Sequence, residues 1–491
     1  MINKICADII EEKNIRENLI QLNQMVRSED NMDRFLDIYY ENEDVFIGLL
    51  DHEDAKVRKN IIKLLGKVAD PVLLEPLFSH YMADETLFLK GDYLSALSAF
   101  DYKEYLPELK KRKEELEQQE RTKHSLEELK QLQKLIWKAE HPKKHLFQTT
   151  GEEDLLLIVP RGHEEKVLED ISKIPDTKGR AIGGGCVVHT KNLADVADIR
   201  TYQALLFDFY PSLIQTSNGG EIAQCLLSAG LPDYLRKHHK EDHPFLFRTD
   251  VKGVTSVAEK NQIARDFSVY LEENSGGTLI NEPSFYEIEF RLIGGKKGFR
   301  VFLKLTALKD ERFSYRKYAM ATSMQPSKAA LMMKYVQPYF KEDANVLDPF
   351  CGTGTLLIER VLAGKCKSMY GLDISGQAIQ AAWENSRRAD KMINLIQRNF
   401  NDFKHEYKFD EILTDMPRQS SSVKSKQLEY LYELLFLKSR ELMADRAVLA
   451  VYCENKELMD RQVSRNRWLK CLKRIPMSKD QTTWLFILQN S

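Results

Sequence analysis

Cysteine is scarce: seven in 491 residues, at Cys6, Cys186, Cys225, Cys351, Cys366, Cys453 and Cys471. No two have the C-x-x-C spacing of a zinc or dithiol site, and an odd number in a long chain argues against a disulfide framework. No apolar run approaches membrane-spanning length, and Cys6, Asp8, Glu11 and Glu12 interrupt any apolar signal region. The expectation is a cytoplasmic protein with reduced thiols and no membrane partner. An excess of either charge is missing too, since 72 Lys+Arg and 74 Asp+Glu leave a net charge of −2. That excludes a histone-like protein and an acidic-tail protein, but not a nucleic-acid enzyme with a local basic groove. At roughly 100–200 residues per domain, the length suits about three domains, with enough chain to bury cores without staples.

Four regions are expected. Residues 1–118 show helical apolar spacing (Ile9, Ile10, Ile15, Leu19, Ile20, Leu22; then Phe35, Leu36, Ile38) and no period-2 run. Within them, Leu49 to Asn60 places an Asp-containing turn before a helix whose apolar face starts at Val57 and continues through Ile61, Leu64 and Leu65. This stretch resembles a HEAT repeat, which implies stacked helix pairs and a surface for a protein partner. Residues 119–149 read as a charged helical linker, apolar on one face at Leu126, Leu129, Leu132, Leu135 and Ile136, and ended by His141-Pro142.

Residues 150–310 mix strand and helix. Strands are expected at Leu155–Val159, Cys186–Thr190, Phe245–Val251, Tyr286–Leu292 and Phe299–Leu305, the last two forming a hairpin across Gly294–Gly298. Helices are expected at Val167–Ile174 and Val257–Glu272, so the domain class is α+β. Residues 311–491 alternate strand and helix, with strands at Asn345–Leu347, Ser368–Leu372, Asn394–Gln397, Glu411–Leu413 and Ala447–Tyr452. Two further strands, Trp468–Arg474 and Thr482–Leu488, close a doubly wound parallel sheet with a terminal hairpin.

The chemistry concentrates in Asn345-Val346-Leu347-Asp348-Pro349-Phe350-Cys351-Gly352-Thr353-Gly354-Thr355, a strand running into a glycine loop and then a helix. Gly352 and Gly354 let a ligand approach the backbone, and the helix start offers unpaired N–H groups. The third glycine of a dinucleotide fingerprint is absent, with Leu357 in its place, and Asp348 suits a cationic ligand better than a pyrophosphate. Asp373, 25 residues after Asp348 and at the end of the next strand, can grip two ribose hydroxyls.

These residues resemble the S-adenosylmethionine site of class I methyltransferases, and more narrowly the branch of RNA methyltransferases that carry a THUMP domain. Upstream, Arg312-Phe313-Ser314-Tyr315-Arg316-Lys317-Tyr318 and Ser323-Met324-Gln325-Pro326-Ser327 resemble that branch's lead-in to the catalytic domain. The resemblance implies a HEAT-like all-α region, an α+β THUMP-like region that grips tRNA or rRNA, and a Rossmann-like α/β methyltransferase domain. It implies that Gln325, Pro326 and Ser327 lie over the cofactor. Asp348, Phe350, Gly352, Gly354 and Thr355 would line its methionine side, and Asp373 would hold its ribose. Asn399 or Asp402, after the third strand, would contact adenine.

The fourth-strand motif of the family reads Asn or Asp, any residue, Pro, then an aromatic. Its acid and a backbone carbonyl beside the proline accept the two hydrogens of a base amine and localise its lone pair toward the methyl group. Here the stretch is Asp415-Met416-Pro417-Arg418, so the resemblance implies Asp415, Pro417 and Arg418 as catalytic residues. Arg418 stands where an aromatic is expected, and a guanidinium plane can stack on a base or reach a phosphate. The implied reaction is methylation of a base exocyclic amine, most simply guanine N2. The alternative is a non-catalytic RNA-binding protein that keeps the cofactor pocket. Base-carbon methylation is disfavoured because no cysteine follows Pro417, and Cys351 reads as a packing residue. No metal site is expected. Arg236-Lys237-His238-His239-Lys240 with His243 reads as a basic loop for phosphate, and Ile182-Gly183-Gly184-Gly185 as a turn.

Overall fold

The computed structural model describes residues 2–119, 122–241, 243–419 and 424–490. The chain divides into two compact units, Met1–Lys143 and Lys144–Ser491. Among the described residues no helix is long and apolar enough to cross a membrane, and all seven cysteines are free.

The first unit is helical throughout. Asp54 caps the helix Ala55–Val68, accepting from the Lys56 N–H at 2.8 Å, and Val57, Ile61, Ile62, Leu64 and Leu65 turn inward. Arg58 leaves that helix to bridge Asp84 at 3.0 Å and Thr86 at 2.8 Å, which fixes the turn before the helix Leu87–Leu97. The expected linker is a structural helix instead. Lys123–Glu140 places Leu132 and Leu135 in the helical core, and its buried Glu128 accepts from Tyr81 Oη at 2.9 Å and Arg112 Nε at 2.8 Å. Its apolar face packs as expected, and it closes the first unit. As expected, it stops before His141-Pro142.

The second unit holds two sheets. The first contains β1 (Glu153–Ile158), β2 (Thr177–Ile182), β3 (Gly185–Thr190), β4 (Ala204–Ile214), β5 (Phe245–Lys252), β6 (Leu279–Asn281), β7 (Ile288–Gly295) and β8 (Gly298–Leu305), in the order β2-β3-β1-β4-β8-β7-β5-β6. All neighbours are antiparallel except β5, which runs parallel to β6 and β7. The β7–β8 hairpin and the Gly183-Gly184 turn between β2 and β3 are as expected. Strands β2, β4 and β6 and the helices Gly219–Ser228 and Leu231–His238 are additional to the expectation.

The second sheet contains β9 (Asn345–Asp348), β10 (Ser368–Asp373), β11 (Asn394–Gln397), β12 (Phe409–Asp415), β13 (Met443–Cys453), β14 (Leu469–Pro476) and β15 (Trp484–Asn490), in the order β11-β10-β9-β12-β13-β15-β14. The first five strands are parallel, and β15 is antiparallel to both β13 and β14. Two apolar clusters fill this region. One includes Phe409, Ile412, Leu435 and Met459, and the other Leu331, Leu357, Leu413 and Ile487. Strand order reverses between β9 and β12, and in such sheets the crevice beyond the carboxyl ends of the strands at that reversal receives ligands.

One buried and one half-buried ion pair tie this scaffold together. Arg360, fully buried on the helix Thr355–Ala363, donates to Glu411 of β12 at 2.6 and 2.8 Å and lies over the Phe340 ring at 3.6 Å. Next to it in the chain, Glu359 accepts from Arg200 at 2.7 and 2.9 Å and from Tyr315 Oη at 2.7 Å. That carboxylate joins the first sheet's domain, the lead-in segment and the helix behind the glycine loop.

Candidate active site

The site lies at the carboxyl edge of β9, β10 and β12. Gly352 has φ +53° and Gly354 φ +77°, backbone that glycine adopts without strain. A Cβ at Gly354 would come within 3.2 Å of Ala382, whereas one at Gly352 would meet nothing within 4 Å. Gly352 therefore faces open space, and Gly354 brings the loop against the helix Gly376–Arg388. Asp373 braces the loop, its two carboxylate oxygens accepting from the Gly352 N–H at 3.0 Å and the Ser375 N–H at 2.8 Å. Each oxygen keeps capacity for a further donor.

Three carboxyl groups converge there. Asp348 is buried and accepts from the Phe350 N–H at 3.1 Å; burial, reinforced by Asp415 and Asp373, pushes its carboxyl up to about 8. Asp415 ends β12 with its side chain 18% exposed, and its Oδ1 has no hydrogen-bond partner among the described residues. Burial pushes it up to about 7, against the pull of Arg418 and Lys328. A buried carboxyl without a bonded partner is a standing demand for a donor or a cation.

Of the expected site residues, Phe350, Gly352, Gly354 and Thr355 share the loop. Thr355 is itself buried, so it offers its backbone rather than its hydroxyl. Pro326 opens the helix Pro326–Val336 and packs inward. Gln325 is exposed ahead of it, 3.5 Å from Arg316 Nη1, and Ser327 is half-buried. Asn399 and Asp402 are both exposed beyond β11 around a turn whose Phe400 meets Phe350 edge-on at 5.7 Å, and Asn399 accepts from the Asn401 N–H. Pro417 is half-buried beside Asp415. Arg418 donates from Nε to Glu454 at 3.1 Å and passes Asp415 at 3.8 Å, so its guanidinium is held at the mouth of the cleft.

Four contributors escaped the sequence reading. Asn385 binds the Tyr318 N–H and carbonyl at 3.1 and 2.9 Å and the Thr353 carbonyl at 3.1 Å, clamping the lead-in segment to the glycine loop. Lys328 donates to Tyr452 Oη at 3.1 Å and adds positive potential at Asp415. Glu454 orients Arg418. Ile374, 71% exposed directly after Asp373, offers an apolar face for a flat ring; an apolar residue following a strand-end acid was the signal for it. Cys351 and Cys453 are buried, and burial pushes the Cys453 thiol up to about 12, which suits packing rather than attack. The expected basic loop at 236–243 is in part helical, with Arg236, Lys237 and Lys240 exposed. Arg236 to His238 finish a helix, and His238 and His239 are buried, so these imidazoles do not reach out to phosphate.

Comparison with known proteins identifies the domain that carries this cleft. Residues 314–482 match the family model of the RMKL-like methyltransferase domain. Doubly wound sheet, glycine loop and strand-end acids together define a methyltransferase domain of the S-adenosylmethionine-dependent class I fold. A tRNA (guanine(10)-N2)-dimethyltransferase of Methanothermobacter thermautotrophicus is 24% identical over 229 residues, 44% of this chain. The chain spans 66% of the length of that curated relative. Among solved structures, TrmN from Thermus thermophilus is similar with a TM-score of 0.53 at 16% identity, over 69% of this chain and 99% of that one. SMU.472, complexed with SAH, has a TM-score of 0.52 at 13% identity, over 69% and 98%. These structural likenesses extend beyond the methyltransferase domain and establish the fold.

The residues fit S-adenosylmethionine. Asp348 and the neighbouring acids would face its sulfonium and ammonium cations, the free lone pairs of Asp373 its ribose, Ile374 its adenine, and the space at Gly352 its bulk. When bound, it supplies an electrophilic methyl group.

Proposed function

We propose that the protein is an S-adenosylmethionine-dependent RNA methyltransferase acting on a base exocyclic amine, guanine N2 of a tRNA. The observation that carries this reading is the unpartnered Asp415 Oδ1 at the end of β12, in the cleft that the glycine loop opens. An exocyclic amine is a weak nucleophile because its lone pair is delocalised into the ring. Ionised Asp415 accepts one amine hydrogen and the backbone carbonyl beside Pro417 the other, which localises the lone pair without a proton having to leave first. The name of the archaeal relative, a tRNA guanine-N2 enzyme, points the same way.

In this reading the first sheet's domain is the RNA-gripping part. Its later half runs helix, helix, β5, helix, β6, β7, β8, an order that supports a THUMP-like assignment. The helical unit is HEAT-like, supported by the Asp-capped helix at Ala55–Val68, and serves a protein partner. Arg418, tied to Glu454 where an aromatic would stack, favours a second reading in which RNA and cofactor bind without turnover. Mass spectrometry of nucleosides from RNA of a strain lacking the gene separates the two. Loss of N2-methylguanosine from one tRNA supports the enzyme, and an unchanged nucleoside profile supports the non-catalytic protein.

A further inference from the structure

Away from the methyltransferase cleft, the fold gathers an imidazole and carboxylate cluster from three distant stretches of the second unit. His145 precedes the first sheet, His243 precedes β5 and Glu287 precedes β7, and their donor atoms lie within 4.8 Å of one another. His145 and Glu287 are 2% and 1% exposed, and His243 is half-buried. The rings of His145 and His243 sit 3.6 Å apart, centroid to centroid.

The hydrogen bonds orient these groups as ligands are oriented. His145 Nε2 meets the His243 carbonyl at 3.0 Å, an acceptor, so Nε2 carries a proton and Nδ1 faces Glu287 Oε2 at 2.9 Å. The Nδ1 of His243 faces the Pro244 carbonyl at 3.4 Å, which leaves Nε2 as the lone-pair nitrogen. That Nε2 is buried with no partner among the described residues, and so is Nε2 of the neighbouring His239, whose Nδ1 is bound to the Leu235 carbonyl at 2.8 Å. Glu287 Oε1 is held by the His145 N–H at 2.7 Å, leaving Oε2 directed at the cluster. An imidazole anchored to a carbonyl through one nitrogen, with the other turned toward a carboxylate, is the arrangement that outer-shell bonds impose on metal-binding histidines. An orphaned buried imidazole nitrogen calls for a donor, a bound water or a cation.

We propose that His145 Nδ1, His243 Nε2 and Glu287 Oε2 form a site for a divalent cation of the zinc type, a structural clamp that fastens the segment before β5 to the strand β7. Imidazole and carboxylate donors suit zinc, and water completes four-coordination. The metal replaces the proton on His145 Nδ1. Tetrahedral zinc with bonds of about 2.1 Å needs donors about 3.4 Å apart. The half-buried His243, in the stretch ahead of β5, is the ligand that closes the remaining distance.

The test uses the full-length protein, stripped with a chelator and titrated with zinc in competition with a chromogenic indicator, alongside elemental analysis. The expected result is one zinc per chain, with His243→Ala weakening it at least tenfold while S-adenosylmethionine affinity stays unchanged. Cobalt(II) in place of zinc gives the visible bands of a tetrahedral N/O site in the parent and loses them in His243→Ala. Should Glu287→Gln fail to fold, His243→Ala alone carries the decision. A parent that retains no zinc at micromolar concentrations overturns the proposal, as does stoichiometric zinc that His243→Ala leaves equally tight.

Discussion

The two ends of the methyltransferase cleft are built differently. At the glycine-loop end, the working parts are contiguous in sequence. Asp348, Gly352 and Gly354 fall within seven residues, and Asp373 reaches back to the loop through one hydrogen bond. At the β12 end the parts come from three places, with Asp415 ending β12 and Arg418 just after it, Glu454 after β13, and Lys328 from the helix Pro326–Val336. The first end follows the common design for a nucleoside cation. The second replaces a stacking aromatic by an arginine with its own counter-ion. On the proposed reading, cofactor binding is therefore set by local backbone, whereas the reaction depends on a charge network that long-range folding assembles.

The scaffold beneath both ends is where the largest effect is expected. Glu411→Ala leaves Arg360 buried without its partner, which costs about 3–5 kcal/mol. Chemical denaturation should show that loss, and cofactor binding and turnover should fall together. A variant that separates the two would mean the ends do not share this support.

Asp415→Ala should split them. Loss of a preorganised acceptor lowers turnover by about 10²–10³-fold with cofactor affinity unchanged. Asp373→Ala should do the reverse, weakening cofactor binding by about ten- to a hundredfold, on the order of 1.5–3 kcal/mol for hydrogen bonds to a charged group. Part of that loss is the release of the Gly352 N–H, so Asp373→Asn, which restores an acceptor, should recover some of it in calorimetry.

A smaller effect concerns pH. Burial holds Asp415 up to about 7, and its ionised form is the stronger acceptor for the amine. Turnover should therefore rise with pH between about 6 and 8 and level off above, and Asp415→Asn should flatten that rise. A profile that falls over this range would remove Asp415 from the acceptor role. The smallest effect is at Arg418. Its pair with Glu454 is 36% and 43% exposed, worth about 0–1 kcal/mol. Arg418→Phe should leave stability nearly unchanged and keep or raise methyl transfer. A drop in RNA affinity with a shallower salt dependence would instead assign the guanidinium to a phosphate.

The same contrast between local and long-range explains how far the sequence could be read. Strands with continuous apolar runs, such as Ala447–Tyr452 inside β13, and the Asp-Pro-Phe-Cys-Gly-Thr-Gly loop were legible because their signals are local. β2 was not, since Thr177-Lys178-Gly179-Arg180 is a half-exposed edge without apolar alternation. β4 carries Asp208 and Pro211, which argue against a strand until Arg300 is seen to pair with Asp208. The apolar face of the helix Lys123–Glu140 is legible from spacing, whereas its buried Glu128 is explained only by Tyr81 and Arg112, dozens of residues upstream or a helix away. Asn385, Lys328, Glu454 and the His145–His243–Glu287 cluster have no spacing signature, because each is defined by partners dozens of residues away.

The central claim is that one cleft holds the cofactor at the glycine loop and a guanine amine at Asp415. Its most direct test is nucleoside mass spectrometry of tRNA incubated with S-adenosylmethionine and either the parent protein or Asp415→Ala, both shown by calorimetry to bind the cofactor equally. The account predicts N2-methylated guanosine from the parent and a loss of about a hundredfold or more in the variant. Methyl groups on another atom, or equal N2 methylation by Asp415→Ala, would contradict it.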